Sequence, residues 1–485
     1  MLALKKLKVI WPWSLVMGKM SEKTGRRSNN QRPRPKAMRF GAWFLLILLF
    51  FLPLAYGLLP LSVSAQSVAE GEKLEVFDEV VKNTEKIDGL FTVYHQKKAG
   101  KIYWEIQPQQ LDKNFLCVVT LASGIGQGVL VRGMPLQDFL FYFQRVQDRL
   151  QFVVRNTNFR EQPGSPLDRS ISTSFSDSVL YGLPIKSIHP TRQSLLVDLS
   201  DMLMTEQDFT GLTPILPWIL GASYTRDLEK SYFSLVKAFP NNVEVESVYG
   251  FITGDATTTA YLPTLPDSRA FNLQVRYSFS DLPTGNGYRP RFADPRIGYF
   301  ITAYKDFSSF PEDFQRYINR WHLEKQNPAA PLSAPKQPIT FWIENTVPVE
   351  YRDTIREGVL MWNQAFESAG FTNAVEVRQM PDNADWDPED VRYSTIRWSA
   401  AYDNWFLGLG PSRVNPLTGQ ILDADIILDA NLVRIMKGEY RSLLGDLWGG
   451  GGGDGETGSV GSVGSVGSVG SVGSVGSVGS GGSVG

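Results

Sequence analysis

Phe271-Asn272-Leu273-Gln274-Val275-Arg276-Tyr277-Ser278-Phe279 alternates apolar and polar residues without a break. A period of two puts Phe271, Leu273, Val275, Tyr277 and Phe279 on one face of a strand. That pattern predicts an antiparallel sheet with one face turned to a core. The same texture extends in both directions along the chain. Residues 102–106 alternate, and residues 115–121 form a continuous apolar run. Residues 139–146 and 150–155 flank the short connection Gln147-Asp148-Arg149 and read as a hairpin. Residues 195–199 and 243–248 add further strands. Residues 92–310 are therefore expected to form a large antiparallel β-rich region. A short helix is expected within residues 68–87, with Leu74, Val76, Phe77, Val80 and Val81 as its apolar face, and another at residues 201–209.

The texture changes at Asn327-Pro328-Ala329-Ala330-Pro331-Leu332-Ser333-Ala334-Pro335, which reads as a linker between domains. A strand follows at residues 339–343. Pro348 then opens a long helix. Ile355, Val359, Trp362, Phe366 and Ala369 share one face of it, and Gly370 caps its end. Residues 375–378, 393–398 and 421–429 read as strands, residues 408–419 as a Gly/Pro loop, and residues 432–444 as a helix. The fold class is α+β.

Both ends have a different character. Residues 1–40 hold Lys5, Lys6, Lys8, Lys19, Lys23, Arg26, Arg27, Arg32, Arg34, Lys36 and Arg39, with Glu22 as their only acid. Trp43 begins an apolar run that reaches Leu61, and Val63-Ser64-Ala65 follows. A basic lead, an apolar stretch and a small-x-small ending make up a secretory signal, with cleavage after Ala65. Met38 offers a shorter start, as do Met17 and Met20. The alternative is a membrane anchor at residues 43–61. At the other end, Gly449 begins a glycine run that passes into Gly-Ser-Val repeats, a composition expected to be flexible. The expected segments are 1–65, 66–125 with the first strands, 126–326 β-rich, 327–336 linker, 337–446 α/β, and 447–485 low-complexity tail.

Charge and histidine content narrow the function. Over the 485 residues, 48 Lys and Arg nearly balance 50 Asp and Glu, so no overall field points to nucleic acid. The membrane enters only through the signal segment. Cys117 is the sole cysteine and sits in an apolar run, as a buried structural thiol does. Gly124-Ile125-Gly126-Gln127-Gly128 is followed by a strand pattern rather than a helix, so it reads as a turn and not a phosphate loop. His95, His189 and His322 are the only histidines, and no His-Glu-x-x-His occurs. Residues 327–485 contain no histidine at all. Asp423, Asp425 and Asp429 share one face of a strand. That spacing is open to calcium but is more often a solvated face.

The order of elements after the linker carries a resemblance. Pro338-Ile339-Thr340-Phe341-Trp342-Ile343-Glu344, the helix with Met361-Trp362-Asn363-Gln364-Ala365-Phe366, and Gly419-Gln420-Ile421-Leu422-Asp423-Ala424-Asp425-Ile426 follow the order of the amino-terminal half of a metzincin-type peptidase domain. With Gly89-Leu90-Phe91-Thr92-Val93-Tyr94 and Ala293-Asp294-Pro295-Arg296-Ile297-Gly298-Tyr299-Phe300, the chain resembles a bacterial family of exported zinc-dependent metalloproteases. Those proteins carry uncharacterised β-rich domains before the peptidase domain. The resemblance implies a zinc cofactor, a protein or peptide substrate, and a periplasmic or extracellular location. It also implies that the strand carrying Ile421, Asp423, Asp425 and Ile427 borders the cleft and pairs with the substrate backbone. The Gly-Ser-Val tract stands where the zinc-binding helix is expected, so neither metal ligands nor a catalytic base carry over. The sequence thus reads as a metallopeptidase fragment that binds no zinc and is inactive as given. The alternatives are a non-catalytic envelope protein whose β-rich part binds a partner or glycan, and an anchored structural protein with a flexible tail.

Overall fold

A computed structural model describes residues 74–448, apart from 162–163, 205–209, 255–259, 309–313 and 405–407. The expected signal segment and the Gly-Ser-Val tail lie outside the described residues. The described chain opens with α1 (Phe77–Val81), β1 (Glu85–Ile87), β2 (Thr92–Gln96), β3 (Lys101–Ile106), β4 (Phe115–Ser123), β5 (Gln127–Gly128), β6 (Pro135–Val146), β7 (Arg149–Val154) and β8 (Phe159–Arg160). Next come α2 (Pro166–Ser174), β9 (Ser178–Ile188), β10 (Leu195–Asp198), α3 (Ser200–Met204), α4 (Leu212–Leu220), β11 (Thr225–Ala238), β12 (Asn242–Ile252) and β13 (Ala270–Asp281).

The alternating stretches pair into one 11-stranded sheet, ordered β1-β2-β3-β10-β9-β7-β6-β4-β13-β12-β11. Every pairing in it is antiparallel. Right-handed twist curls such a wide sheet. Here the two ends meet: the Leu90 amide donates to the Phe239 carbonyl at 2.7 Å. Gly89 permits that approach, because a Cβ there would lie 2.7 Å from the Phe239 oxygen. The result is barrel-like. Its inside is filled by Phe91, Trp104, Phe115, Phe141, Phe143, Phe152 and Phe279, all buried. Phe141 stacks on Phe152 at 4.7 Å, and Trp104 meets Phe279 edge-on at 4.9 Å. Each such side chain stabilises the fold by about 1.5–3 kcal/mol through burial. The five alternating residues of β13 all point into this core.

The second half supplies β14 (Ile301–Asp306), β15 (Phe314–Ile318), β16 (Arg320–Trp321), β17 (Ile339–Ile343), α5 (Val349–Leu360), α6 (Trp362–Ser368), β18 (Val375–Gln379), β19 (Ser394–Ser399), β20 (Asp403–Asn404), β21 (Gly408–Leu409), β22 (Ser412–Val414), β23 (Gln420–Asp429) and α7 (Ala430–Trp448). A parallel sheet runs β16-β23-β19-β17-β18, with β21 and β22 antiparallel along β23. One face of it packs Ile343, Val347, Ile396, Ile426 and Leu428 against Ile355 and Val359 of α5. The β-rich texture and the large antiparallel sheet agree with the α+β expectation.

Several local expectations change. The helix in residues 68–87 shortens to α1, because residues 85–87 pair with β2 instead. Leu74 and Val76 are exposed rather than part of a buried face. Helices α2 and α4 were not legible; Ser165 caps α2 by accepting from the Asp168 amide, and Pro217 lies inside α4. Of the helix expected at residues 201–209, α3 forms the first part, and residues 205–209 lie outside the described set. The long helix after Pro348 divides at Met361 into α5 and α6. Trp362 is exposed, and no residue of either helix is fully buried. Gly370, at φ +90°, ends the second piece, and the Phe371 amide reaches back to the Phe366 carbonyl at 2.9 Å. The Pro/Ala segment is tied down: the Lys325 ammonium donates to the Ala330 and Pro331 carbonyls, and the Ser333 amide to Gly370.

Candidate functional site

The site begins with β12. Val243, Val245, Tyr249 and Phe251 face the barrel core, so Asn242, Glu244 and Glu246 point outward. An outward strand face is ordinarily wet. Here it is buried, because the parallel sheet lies over it. Its companions on β13 are Arg276, Ser278 and Ser280. Beside them, Leu116, Leu140 and Leu282 of the barrel side meet Leu417 and Leu422 across an apolar seam. Ile427 of β23 comes against Gly133, where a Cβ would lie 1.7 Å from the Ile427 terminal carbon.

Charge fills the rest of the seam. Arg276 bridges Glu246 and Glu389. Arg397, 5 % exposed, donates to Glu389 at 2.9 Å, to the Pro388 carbonyl at 2.6 Å and to the Thr395 hydroxyl at 2.8 Å, and pairs with Asp425 at 3.2 Å. Arg413 pairs with Asp423, whose other oxygen accepts from the Ser394 hydroxyl at 3.0 Å. Asp425 accepts from the Thr395 hydroxyl at 2.6 Å. Lys237 reaches Asp387, and the Asn242 amide donates to the Glu389 carbonyl at 3.0 Å. At the margin, Arg132 lies 3.9 Å from Glu344. A buried ion pair survives only where hydrogen bonds satisfy both partners, and most of these are so held.

The environment splits the carboxyl groups. Burial would push the Glu389 carboxyl up, but Arg397, Arg276, Arg413 and Arg132 together hold it below the ordinary range. Burial dominates at Glu244, which is pushed up to about 7 despite Arg413 and Arg276. Burial and neighbouring Asp425 push Asp423 up as well.

This geometry corrects two expectations about β23. Asp423 and Asp429 are 1 % and 0 % exposed, so the acidic face is not solvated. For Asp423 the partner is Arg413 of a neighbouring strand, which the spacing along β23 does not show, and Asp429 accepts from the Asn431 amide at 2.9 Å. Ile421, Asp423, Asp425 and Ile427 also do not lie on an open edge. One side of β23 pairs with β19 and the other with β16, β22 and β21. The stretch expected as a Gly/Pro loop folds back as two short strands that pair with β23.

The zinc implied by the resemblance finds no donor set here. His95 is buried in β2, His189 packs edge-on to Phe77 at 4.9 Å, and His322 lies against Tyr288 at 5.6 Å. Among the described residues, no group of three or more His, Cys, Asp or Glu is placed to hold a metal ion. The Asp pair is committed to arginine, which also removes it as a calcium site. Cys117 is buried, and its thiol is pushed well up by burial, as a structural cysteine's is. The glycines at 124–128 form a turn: the Ile125 and Gly126 amides both bond the Leu130 carbonyl, leaving no nest for an anion.

Sequence reasoning missed Arg397, Arg413, Arg276, Glu389 and Glu244. One signal was available: Arg397 interrupts Ser394-Thr395-Ile396-Arg397-Trp398, a strand of a parallel sheet, where a charge needs a buried partner.

The chain is similar to two domains of unknown function. Residues 74–124 match the one described as DUF5118, and residues 133–326 match DUF5117. The DUF5118 span supplies β1 to β4, and the DUF5117 span supplies β6 to β16, the last of these a strand of the parallel sheet. The two interleave, since β3 pairs with β10 and β4 lies between β6 and β13. Both outward carboxylates of β12, Glu244 and Glu246, fall within the DUF5117 span, whereas Glu389, Arg397, Arg413 and Asp423 fall outside both. No curated protein and no solved structure matches the chain. Among the described residues, no helix is long and apolar enough to cross a membrane.

Proposed function

We propose that this chain is the framework of an exported zinc-dependent metallopeptidase: the β-rich part and the sheet of the peptidase domain, without a metal site of its own. The observation that carries the reading is the element order of β17, the α5–α6 helical pair, β18, β19 and β23, joined in one parallel sheet with antiparallel strands along β23. That order is what the sequence resemblance implies. Protein or peptide is the substrate class, and export follows from the basic lead and apolar run ahead of Ala65. A zinc ion would supply the activated water. The described residues do not hold one, so their part is to build the sheet and fix it to the barrel. The buried seam suits that part: Arg276 of β13 pairs across it with Glu389 and Lys237 of β11 with Asp387, and Glu389 is tied in turn to Arg397 of β19.

The test is to read the coding DNA beyond the codon for Trp448 in all frames. A frame encoding His-Glu-x-x-His supports the proposal, and its absence removes it. A second reading, a non-catalytic envelope protein that binds a partner, rests on the exposed Phe292, Ile297 and Phe300. It gains if that absence is found.

A further inference from the structure

We propose that the seam between the barrel and the parallel sheet is a proton-operated latch, tight while the Glu244 carboxyl is neutral and looser once it ionises. Glu244, Glu246, Glu344, Glu389, Asp423 and Asp425 face Arg132, Arg276, Arg397 and Arg413, six acids against four guanidinium groups. A buried cluster with excess carboxylate is relieved most cheaply by binding protons.

Geometry selects Glu244 for that role. Its Oε1 accepts from the Asn242 side-chain amide at 2.8 Å and from the Ser278 hydroxyl. Its Oε2 is buried without a hydrogen-bond partner, as is the Asn242 Oδ1. No guanidinium bonds it directly: Arg276 is engaged by Glu246 and Glu389, and Arg413 by Asp423. The groups facing it can be named by element. They are Asn242 and Glu246 on β12, Arg276 and Ser278 on β13, and Cys117 on β4. Across the seam are Arg413 on β22, Asp423 and Asp425 on β23, Arg397 on β19, and Glu389 in the preceding turn. Asp423 is pushed up as well, but both its oxygens are partnered, one by Arg413 and the other by Ser394, whereas one oxygen of Glu244 has no hydrogen-bond partner.

The sign follows from linkage. A carboxyl raised in the folded state contributes stability that is complete below its ordinary range and is lost as pH rises through the folded value, about 7 for Glu244. Because Glu244 points away from the barrel core, the loss falls on the seam and leaves the barrel interior intact.

The test is thermal unfolding of the full chain from about pH 5 to about pH 8, compared with Glu244→Gln. The melting temperature of the wild type is expected to fall over this interval. Glu244→Gln, neutral at position 244 at every pH, is expected to fall less steeply, keeping only the share that belongs to raised Asp423, and to melt above the wild type at the alkaline end. Glu246→Gln breaks the Arg276 pair and is expected to melt lower throughout with the wild-type slope. Equal slopes in wild type and Glu244→Gln overturn the proposal, as does a wild type that does not lose stability. If Glu244→Gln fails to fold, infrared spectroscopy of the wild type decides. A protonated-carboxyl band that disappears near neutral pH and persists in Asp423→Asn supports the latch; a wild type without such a band, or a band lost in Asp423→Asn, overturns it.

Discussion

Arg397 shows how one side chain organises the seam. Its guanidinium reaches Glu389, Asp425, Thr395 and the Pro388 carbonyl, and it is nearly fully buried. Replacing it by methionine fills the volume but takes a guanidinium from buried Glu389, leaving it Arg276, and from half-buried Asp425, leaving it Thr395 and the more distant Arg413. Arg397→Met is expected to cost about 3–5 kcal/mol, read as a lower denaturation midpoint at unchanged slope. Arg269, on an exposed pair with Asp267, makes the contrast: Arg269→Ala is expected to leave the melting curve in place. Glu389 has the opposite linkage to Glu244. Its carboxyl is held low, so its stabilisation is present above the ordinary glutamate value and is lost as pH falls through the folded one. These roles were hard to read from sequence. Glu244 and Glu246 alternate with valines as a solvent face would, and alternation assigns inside and outside without saying what covers the outside.

Strands with a clean period of two were legible; helix breaks and backbone ties were less so. The spacing of Ile355, Val359, Trp362 and Phe366 reads as one helix, yet the chain divides at Met361. Past the break, the Asn363 side chain serves Val375, accepting from its amide at 2.9 Å and donating to its carbonyl at 3.0 Å. It completes the outer edge of β18 much as a neighbouring strand would. Asn363→Ala removes both bonds from a buried backbone and is expected to cost about 1–3 kcal/mol, with faster hydrogen exchange at the Val375 amide. The stretch from Gly124 was read as a turn and it forms one, but the close approach of backbone at Gly124 was not legible. A Cβ at Gly124 would sit 2.1 Å from the Leu130 carbonyl oxygen, so Gly124→Ala is expected to lower the melting temperature. Strand β23 was legible as a strand but not in its pairing. Its partners β16, β21 and β22 are too short to show a period.

Across the whole molecule, the sequence carried the fold class because burial patterns are local, whereas closure of the sheet depends on Leu90 meeting Phe239 far along the chain. The barrel core draws only on residues 87–279, so a chain of residues 66–326 is expected to melt cooperatively, though with its charged face uncovered. A gradual, non-cooperative loss of signal would show that the parallel sheet is part of the same folding unit. The proposal is that the described residues frame a peptidase and hold no metal site of their own. The direct measurement is cleavage of an unfolded protein substrate, with and without a metal chelator, by the purified chain and by the chain continued through the next frame that encodes His-Glu-x-x-His. On this proposal, no chelator-sensitive cleavage is expected from the first and clear chelator-sensitive cleavage from the second. Chelator-sensitive cleavage by the chain alone, abolished by a substitution within residues 74–448, would contradict it, as would a folded, zinc-loaded longer chain that cuts nothing.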